Sequence, residues 1–271
     1  SLFSDQKQED IHKIINTSLL DNLKLILQSL QQSEFVISNQ EKKNLRDDYF
    51  KLTNFTRFTD SLPMAITLER ENIVELSPDN YENQINIRKN YSVTEKTDGE
   101  RNLLFIDAKG EVFLINRQNT IKKMGLKVTN YTNTILDGEY VSQNLSGKSI
   151  RLFLAFDLYF SQGKDFRERI LMRSTKDKSD NEYQKSRLEE LEDLMENLQV
   201  ESEECELEFV LTKKVFKFGN VQDNNQNFSK LVEEREEYIL NNSHDLTELS
   251  IQKLRQDINL AKQDTKIFEE S

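Results

Sequence analysis

Between Thr94 and Phe160 no stretch of the chain repeats its apolar residues at helical spacing, and this constrains the fold more than any other feature. The region reads instead as short runs rich in β-branched and aromatic residues: "YSVTEK", "RNLLFIDA", "GEVFLINR", "TILDGEYVS" and "IRLFLAFDLYF". "MAITLER" precedes them, and turn signals such as Asp107-Ala108-Lys109-Gly110 and Asn144-Leu145-Ser146-Gly147 separate them. Parallel strands would need crossover helices between them. Short loops therefore favour an antiparallel sheet over a Rossmann arrangement.

Helical patterns flank this region. Ile11, Ile14, Ile15, Leu19, Leu23, Ile26, Leu27 and Leu30 form one apolar stripe on a helix from Gln6 to Gln31, suited to core packing or to a partner. Ser38 reads as an N-cap with Glu41 as its capping-box partner, opening a second helix over Gln40 to Leu52. After Gly163 the pattern returns to helix. Leu188, Leu191, Leu194, Met195 and Leu198 form a stripe, "CELEFVLTKKVFKFG" reads as one strand or two, and Phe228 to Leu240 and the tail around Ile251, Leu254, Ile258 and Ala261 are helical by spacing. The expected architecture is α+β. Residues 1–60 form a helical extension or linker, and residues 61–271 a mostly antiparallel domain with a helical C-terminal part.

Composition removes several classes. No apolar run approaches the roughly 20 residues that span a bilayer, and the start lacks a signal-peptide pattern, so no membrane partner is expected and an intracellular, cytoplasmic setting is. With Cys205 the only cysteine and His12 and His244 the only histidines, an internal disulfide is excluded and a Cys/His zinc site is not expected. A net charge of -11 argues against broad nucleic-acid binding. Yet Lys96, Arg101, Arg117, Lys122 and Lys123 share one window, which permits a basic pocket on an acidic body.

Three stretches carry chemistry. In "EKTDGER" a lysine whose neutral form is favoured becomes an amine nucleophile, Asp98 can orient it, and Arg101 can hold a phosphate or ribose oxygen. Alone, the same residues fit a solvated hairpin with a Lys/Asp pair. "ILDGEYV" sets two carboxylates around a glycine, as divalent metal or ribose hydroxyls require. "LFLAFDLYF" carries one acid, Asp157, inside an apolar strand, where a charge needs a partner or a function.

In this order, the three stretches resemble motifs I, III and IIIa of the covalent nucleotidyltransferases, which include DNA ligases, RNA ligases and mRNA capping guanylyltransferases. "EKTDGER", "FLINR", "LDGEYV" and "FLAFDLYFSQGKDFRER" are most similar to capping enzymes of large cytoplasmic DNA viruses and related cytoplasmic elements. The resemblance implies that Lys96 attacks the α-phosphate of GTP and carries GMP to a 5′-diphosphate end of nascent mRNA. It implies a ribose contact for Arg101, a phosphate contact for Arg117, and a ribose or metal contact for Glu139 with Mg or Mn. Phe156 would stack on guanine, Asp98 would position the lysine region, and Gly99 would be the turn that lets Lys96 and Arg101 face one pocket. Asp157, Lys213, Lys214 and Lys217 are further candidates.

Motifs IV to VI are not found. "CELEFVLTKKVFKFG" lacks the motif IV glycine, and the expectation is that it precedes motif IV in a longer polypeptide with triphosphatase and methyltransferase domains or subunits alongside. Glu206 and Glu208 also resemble the paired glutamates of tunnel-type RNA triphosphatases. Two other readings stay open: an ATP-dependent RNA or DNA ligase, and a noncatalytic nucleotidyltransferase-fold scaffold.

Overall fold

The computed structural model describes residues 2–31, 33–58, 63, 67–69, 72, 87, 91–144, 147–172, 184–202 and 208–219. The helical readings at Phe228 to Leu240 and in the tail, the strand reading of "MAITLER" apart from Thr67 to Glu69, which form no strand, the surroundings of Cys205 and Glu206, and the side chains of both histidines lie outside the described residues.

The described strands are β1 Tyr91–Thr94, β2 Glu100–Ile106, β3 Glu111–Asn116, β4 Ile121–Val128, β5 Thr134–Gln143, β6 Ser149–Ser161, β7 Lys164–Asp165, β8 Val200–Ser202, β9 Phe209–Lys213 and β10 Phe216–Gly219. The helices are α1 Leu2–Gln31, α2 Asn39–Thr53 and α3 Arg187–Asn197. Seven strands form one antiparallel path in the order β7-β6-β5-β2-β3-β4-β8. One parallel pairing departs from the expected pattern, β9 on β6 with Arg151 opposite Phe209 and Ala155 opposite Lys213.

The continuous apolar run in β2 follows from helices covering both faces of the sheet. Leu104 and Ile106 join a cluster with Leu191 and Leu194 of α3, whereas Leu103 and Phe105 join another with Leu45 and Tyr49 of α2. A strand covered on both sides gains nothing from alternating polar residues. Tyr49 is fully buried, with its ring edge-on to Phe58 at 4.7 Å and to Phe105 at 5.5 Å, so α2 is anchored to the sheet by aromatic contacts.

Local signals explain the helix ends. The Ser38 side chain accepts from the Glu41 amide and the Glu41 side chain accepts from the Ser38 amide, completing the expected capping box, and Ser186 with Glu189 repeats it on α3. The stripe on α1 is not core where its side chains are described, since Leu19, Leu23, Ile26 and Leu30 are all exposed. The acidic run of α3 is only partly a solvated face. Glu189 belongs to the cap and Glu190 accepts from Ser161 Oγ at 2.7 Å.

Candidate active site

The hairpin reading of "EKTDGER" fails on strand pairing. β1 pairs with β10, with Val93 opposite Lys217 and Thr94 opposite Phe216, while β2 pairs with β3 and β5. The intervening residues, Glu95 to Gly99, therefore bridge a small two-stranded sheet and the large one. Thr94 Oγ1 donates to the Val215 carbonyl at 2.7 Å, which fastens this segment to the β9–β10 connection.

Gly99 lies at a bend just before β2, without the left-handed backbone that would by itself demand glycine. Its requirement is closeness to β5. A Cβ there would lie 2.7 Å from Glu139 Cγ, 2.7 Å from the Tyr140 carbonyl oxygen and 3.2 Å from Val141 Cγ2. The missing side chain presses the Lys96 segment onto Glu139.

Lys96 itself is 87% exposed, with Nζ 2.8 Å from Asp98 Oδ1. Asp98 is thus the ion-pair partner of the Lys96 amine. Arg101, opposite Glu139 across β2 and β5, is held from behind. Its Nε donates to Asp137 Oδ1 at 3.0 Å, its Nη2 pairs with Asp137 Oδ2, and its Nη1 donates to the Pro63 carbonyl at 2.9 Å. The Asp137 hydrogen bond raises the Arg101 guanidinium above its ordinary value, which keeps it charged.

The two carboxylates of "ILDGEYV" therefore separate in role. Asp137 is fully buried beneath Arg101, and Glu139, half-buried, is the one that faces the Lys96 segment. Gly138 between them is required by packing, since a Cβ would meet the Phe153 ring at 2.4 Å.

A register slip aims the aromatic candidate. Asp137 lies opposite Asp157 and Gly138 opposite Ala155, so Phe156 is the extra residue of a β-bulge. Its ring carries the Arg101 guanidinium carbon 5.6 Å from its centroid and Lys214 Nζ 5.4 Å away. Lys214 also donates to the Glu95 carbonyl at 3.3 Å. Burial, and secondarily the charge of Lys96, pushes its ammonium below the ordinary value, while Glu139 and Glu95 oppose the shift. Lys214 is thus the residue that ties the Lys96 segment, Glu139 and Phe156 into one place.

The remaining candidates sit elsewhere. Arg117 is exposed on the turn after β3, next to Asn116, which lies opposite Asn102. Lys213 turns away from Lys214 and pairs with Glu192 of α3, and Lys217 lies on β10 opposite Val93. Asp157 has a structural partner: Arg187, the first residue of α3, donates from Nε to Oδ1 at 2.7 Å and from Nη2 to Oδ2 at 3.1 Å. Desolvation nevertheless raises the Asp157 carboxyl above its ordinary value, against the lowering effect of Arg187.

The family model for the catalytic domain of mRNA capping enzymes matches residues 32–220, which span every described strand. The chain belongs to this family. A protein of Acanthamoeba polyphaga mimivirus named "Probable mRNA-capping enzyme" is 32% identical over 161 residues, 59% of this chain and 13% of that protein. The chain thus spans only a small part of its relative's length. The capping-family match begins at residue 32, just after α1 and before α2, and so includes the helix whose Tyr49 anchors the sheet.

The donor set does not build a metal centre. Among the described residues no three His, Cys, Asp or Glu side chains are grouped to hold an ion. Asp137 is committed to Arg101, and Asp98 to Lys96. Glu139 remains as one carboxylate, enough to share a nucleotide-borne cation and too few to hold one alone. No helix among the described residues is long and apolar enough to cross a membrane.

Proposed function

We propose that this domain takes GMP from GTP onto Lys96 and passes it to the 5′-diphosphate end of an RNA. The observation that carries the reading is the convergence at Lys214. A lysine, a guanidinium, a carboxylate and a bulge-aimed aromatic ring are brought together there by ring contacts and by charge interactions. Lys96 Nζ attacks the α-phosphorus, a P–N bond forms, and the bond to the bridging oxygen breaks so that pyrophosphate leaves, the amine shedding a proton. In the second step a terminal phosphate oxygen of the RNA attacks the same phosphorus, the P–N bond breaks, and the lysine amine takes up a proton.

The chain's own residues divide the work. Arg101, backed by Asp137, offers fixed N–H groups to ribose or phosphate oxygens. Phe156 gives the base an aromatic platform, and Lys214 beside that ring supplies a donor for an acceptor on the base edge. Glu139 accepts from ribose hydroxyls or shares the magnesium or manganese that arrives with the nucleotide. The low coverage of the mimivirus relative supports work within a larger capping polypeptide, with triphosphatase and methyltransferase chemistry supplied outside this domain.

The test is adduct formation by the full chain with α-labelled GTP or ATP and magnesium. A protein-bound label from GTP alone, abolished by Lys96→Ala, is expected. Labelling by ATP instead would shift the assignment to a ligase, and labelling that survives Lys96→Ala would overturn the nucleophile.

A further inference from the structure

Tyr159 is a residue that the motif reading passed over. It lies in β6 at a second register slip, since Ile135 is opposite Phe160 and Leu136 opposite Leu158. The slip leaves Tyr159 as an extra residue, and its ring packs in the α2-side cluster. Its hydroxyl donates to Asp137 Oδ2 at 2.5 Å. Burial, and then the Asp137 carboxyl, raise the Tyr159 phenol far above its ordinary value, so it remains a donor at every working pH.

The consequence runs through one carboxyl group. A carboxylate held only by a guanidinium can rotate with it, because both sit on flexible stems. A third donor from a rigid, packed ring fixes the rotation of Asp137 and thereby the plane of Arg101. Within Arg101, Nε and one N–H on each terminal nitrogen are engaged by Asp137 and Pro63. The Tyr159 hydroxyl also bears directly on the guanidinium, and the N–H groups left over by Asp137, Pro63 and Tyr159 are those that can meet a ligand beside Phe156.

We propose that Tyr159 is a positioning residue for the nucleotide: its hydroxyl locks the Asp137 carboxyl group, which aims the remaining N–H groups of Arg101 at the sugar-phosphate. The inference rests on the guanylyltransfer reading for the identity of the ligand, but not for the geometry. Tyr159→Phe keeps the ring and deletes the lock. In the nucleotide-free full chain, the Arg101 Nε–H resonance should exchange faster with solvent in Tyr159→Phe than in wild type. GTP should then bind about tenfold more weakly, the loss of one hydrogen bond to a charged group.

A double-mutant cycle separates positioning from general weakening. In an Arg101→Ala background, Tyr159→Phe should change GTP affinity no further, whereas a merely structural effect would persist there undiminished. Unchanged Arg101 exchange in Tyr159→Phe, or a loss of GTP affinity that survives without Arg101, overturns the proposal. Faster exchange in a protein that takes no GTP at all would refute the nucleotide reading and leave the lock standing.

Discussion

Replacing Gly99 by alanine tests the closeness of the Lys96 segment to β5. The new Cβ would sit 2.7 Å from the Tyr140 carbonyl oxygen, and ordinary contact begins at 3.4 Å, so the backbone must retreat by about 0.7 Å. The Glu139 side chain can swing aside, but a carbonyl paired within a sheet cannot. The displacement therefore falls on the segment that carries Lys96. Misplacement of a reacting group by about 1 Å costs on the order of 100-fold in rate, so a loss of tenfold to 100-fold is expected in adduct formation. The assay is the single-turnover rate of labelling by α-labelled GTP at saturating nucleotide, with thermal unfolding measured alongside. Gly147→Ala is the control: nothing lies within 4 Å of its Cβ, but φ is +78°, so about 1 kcal/mol of stability should go while the labelling rate stays. If Gly99→Ala labels at the wild-type rate, the close approach does not position the nucleophile and the reasoning is wrong.

Three other outcomes follow from particular contacts. Ser38→Ala should lower stability by about 1 kcal/mol in urea unfolding. Glu41 is held below its ordinary 4.5, chiefly by the Ser38 side chain, so its contribution is complete above 4.5 and fades as pH falls through the lowered value; the difference between wild type and Glu41→Gln should shrink accordingly. Arg187→Ala strands the Asp157 carboxyl and should cost about 3 kcal/mol or more, whereas Lys213→Ala, which breaks a partly exposed pair with Glu192, should cost under about 1 kcal/mol. For Lys214, whose ammonium sits below 10.5, the native state binds fewer protons than the unfolded state between the lowered value and 10.5. Wild type should therefore gain stability with rising pH across that window relative to Lys214→Met, whose melting temperature should be the higher one at neutral pH.

What could be read in the sequence was what neighbours decide. The capping box of Ser38 and Glu41 is a local grammar of hydrogen bonds, and the apolar runs of β2, β3, β5 and β6 announce strands by composition. β4 escaped because Lys122 and Lys123 are adjacent and Gly125 interrupts the pattern; its reason for being glycine is the Phe35 ring, 2.1 Å from where a Cβ would stand. β8 is too short to signal itself. Among site residues, Lys96, Asp98, Arg101, Glu139 and Phe156 were marked by motif order. Lys214 stood among four further candidates, and nothing local distinguished it from Lys213, since only strand direction sends one to α3 and the other to Phe156. Tyr159 and the Arg187 partner of Asp157 were invisible. Both depend on a contact more than twenty residues away in sequence, and β-bulges had reset the alternation that would have told which side chains share a face.

The pairing of β1 with β10 also sets an order of events in folding. Strands β2 through β6, side by side in the order β6-β5-β2-β3-β4, are joined by short connections, while Tyr91 must find Gly219 across more than a hundred residues of intervening chain. Long closures come late because their entropy is spent before their contacts repay it. A nascent polypeptide can thus pair β2 through β6 while the segment bearing Lys96 still lacks its β1–β10 fastening. If Lys96 is the nucleophile proposed above, competence to take a label from GTP in a refolding experiment should lag behind the burial of Tyr49 and Phe105.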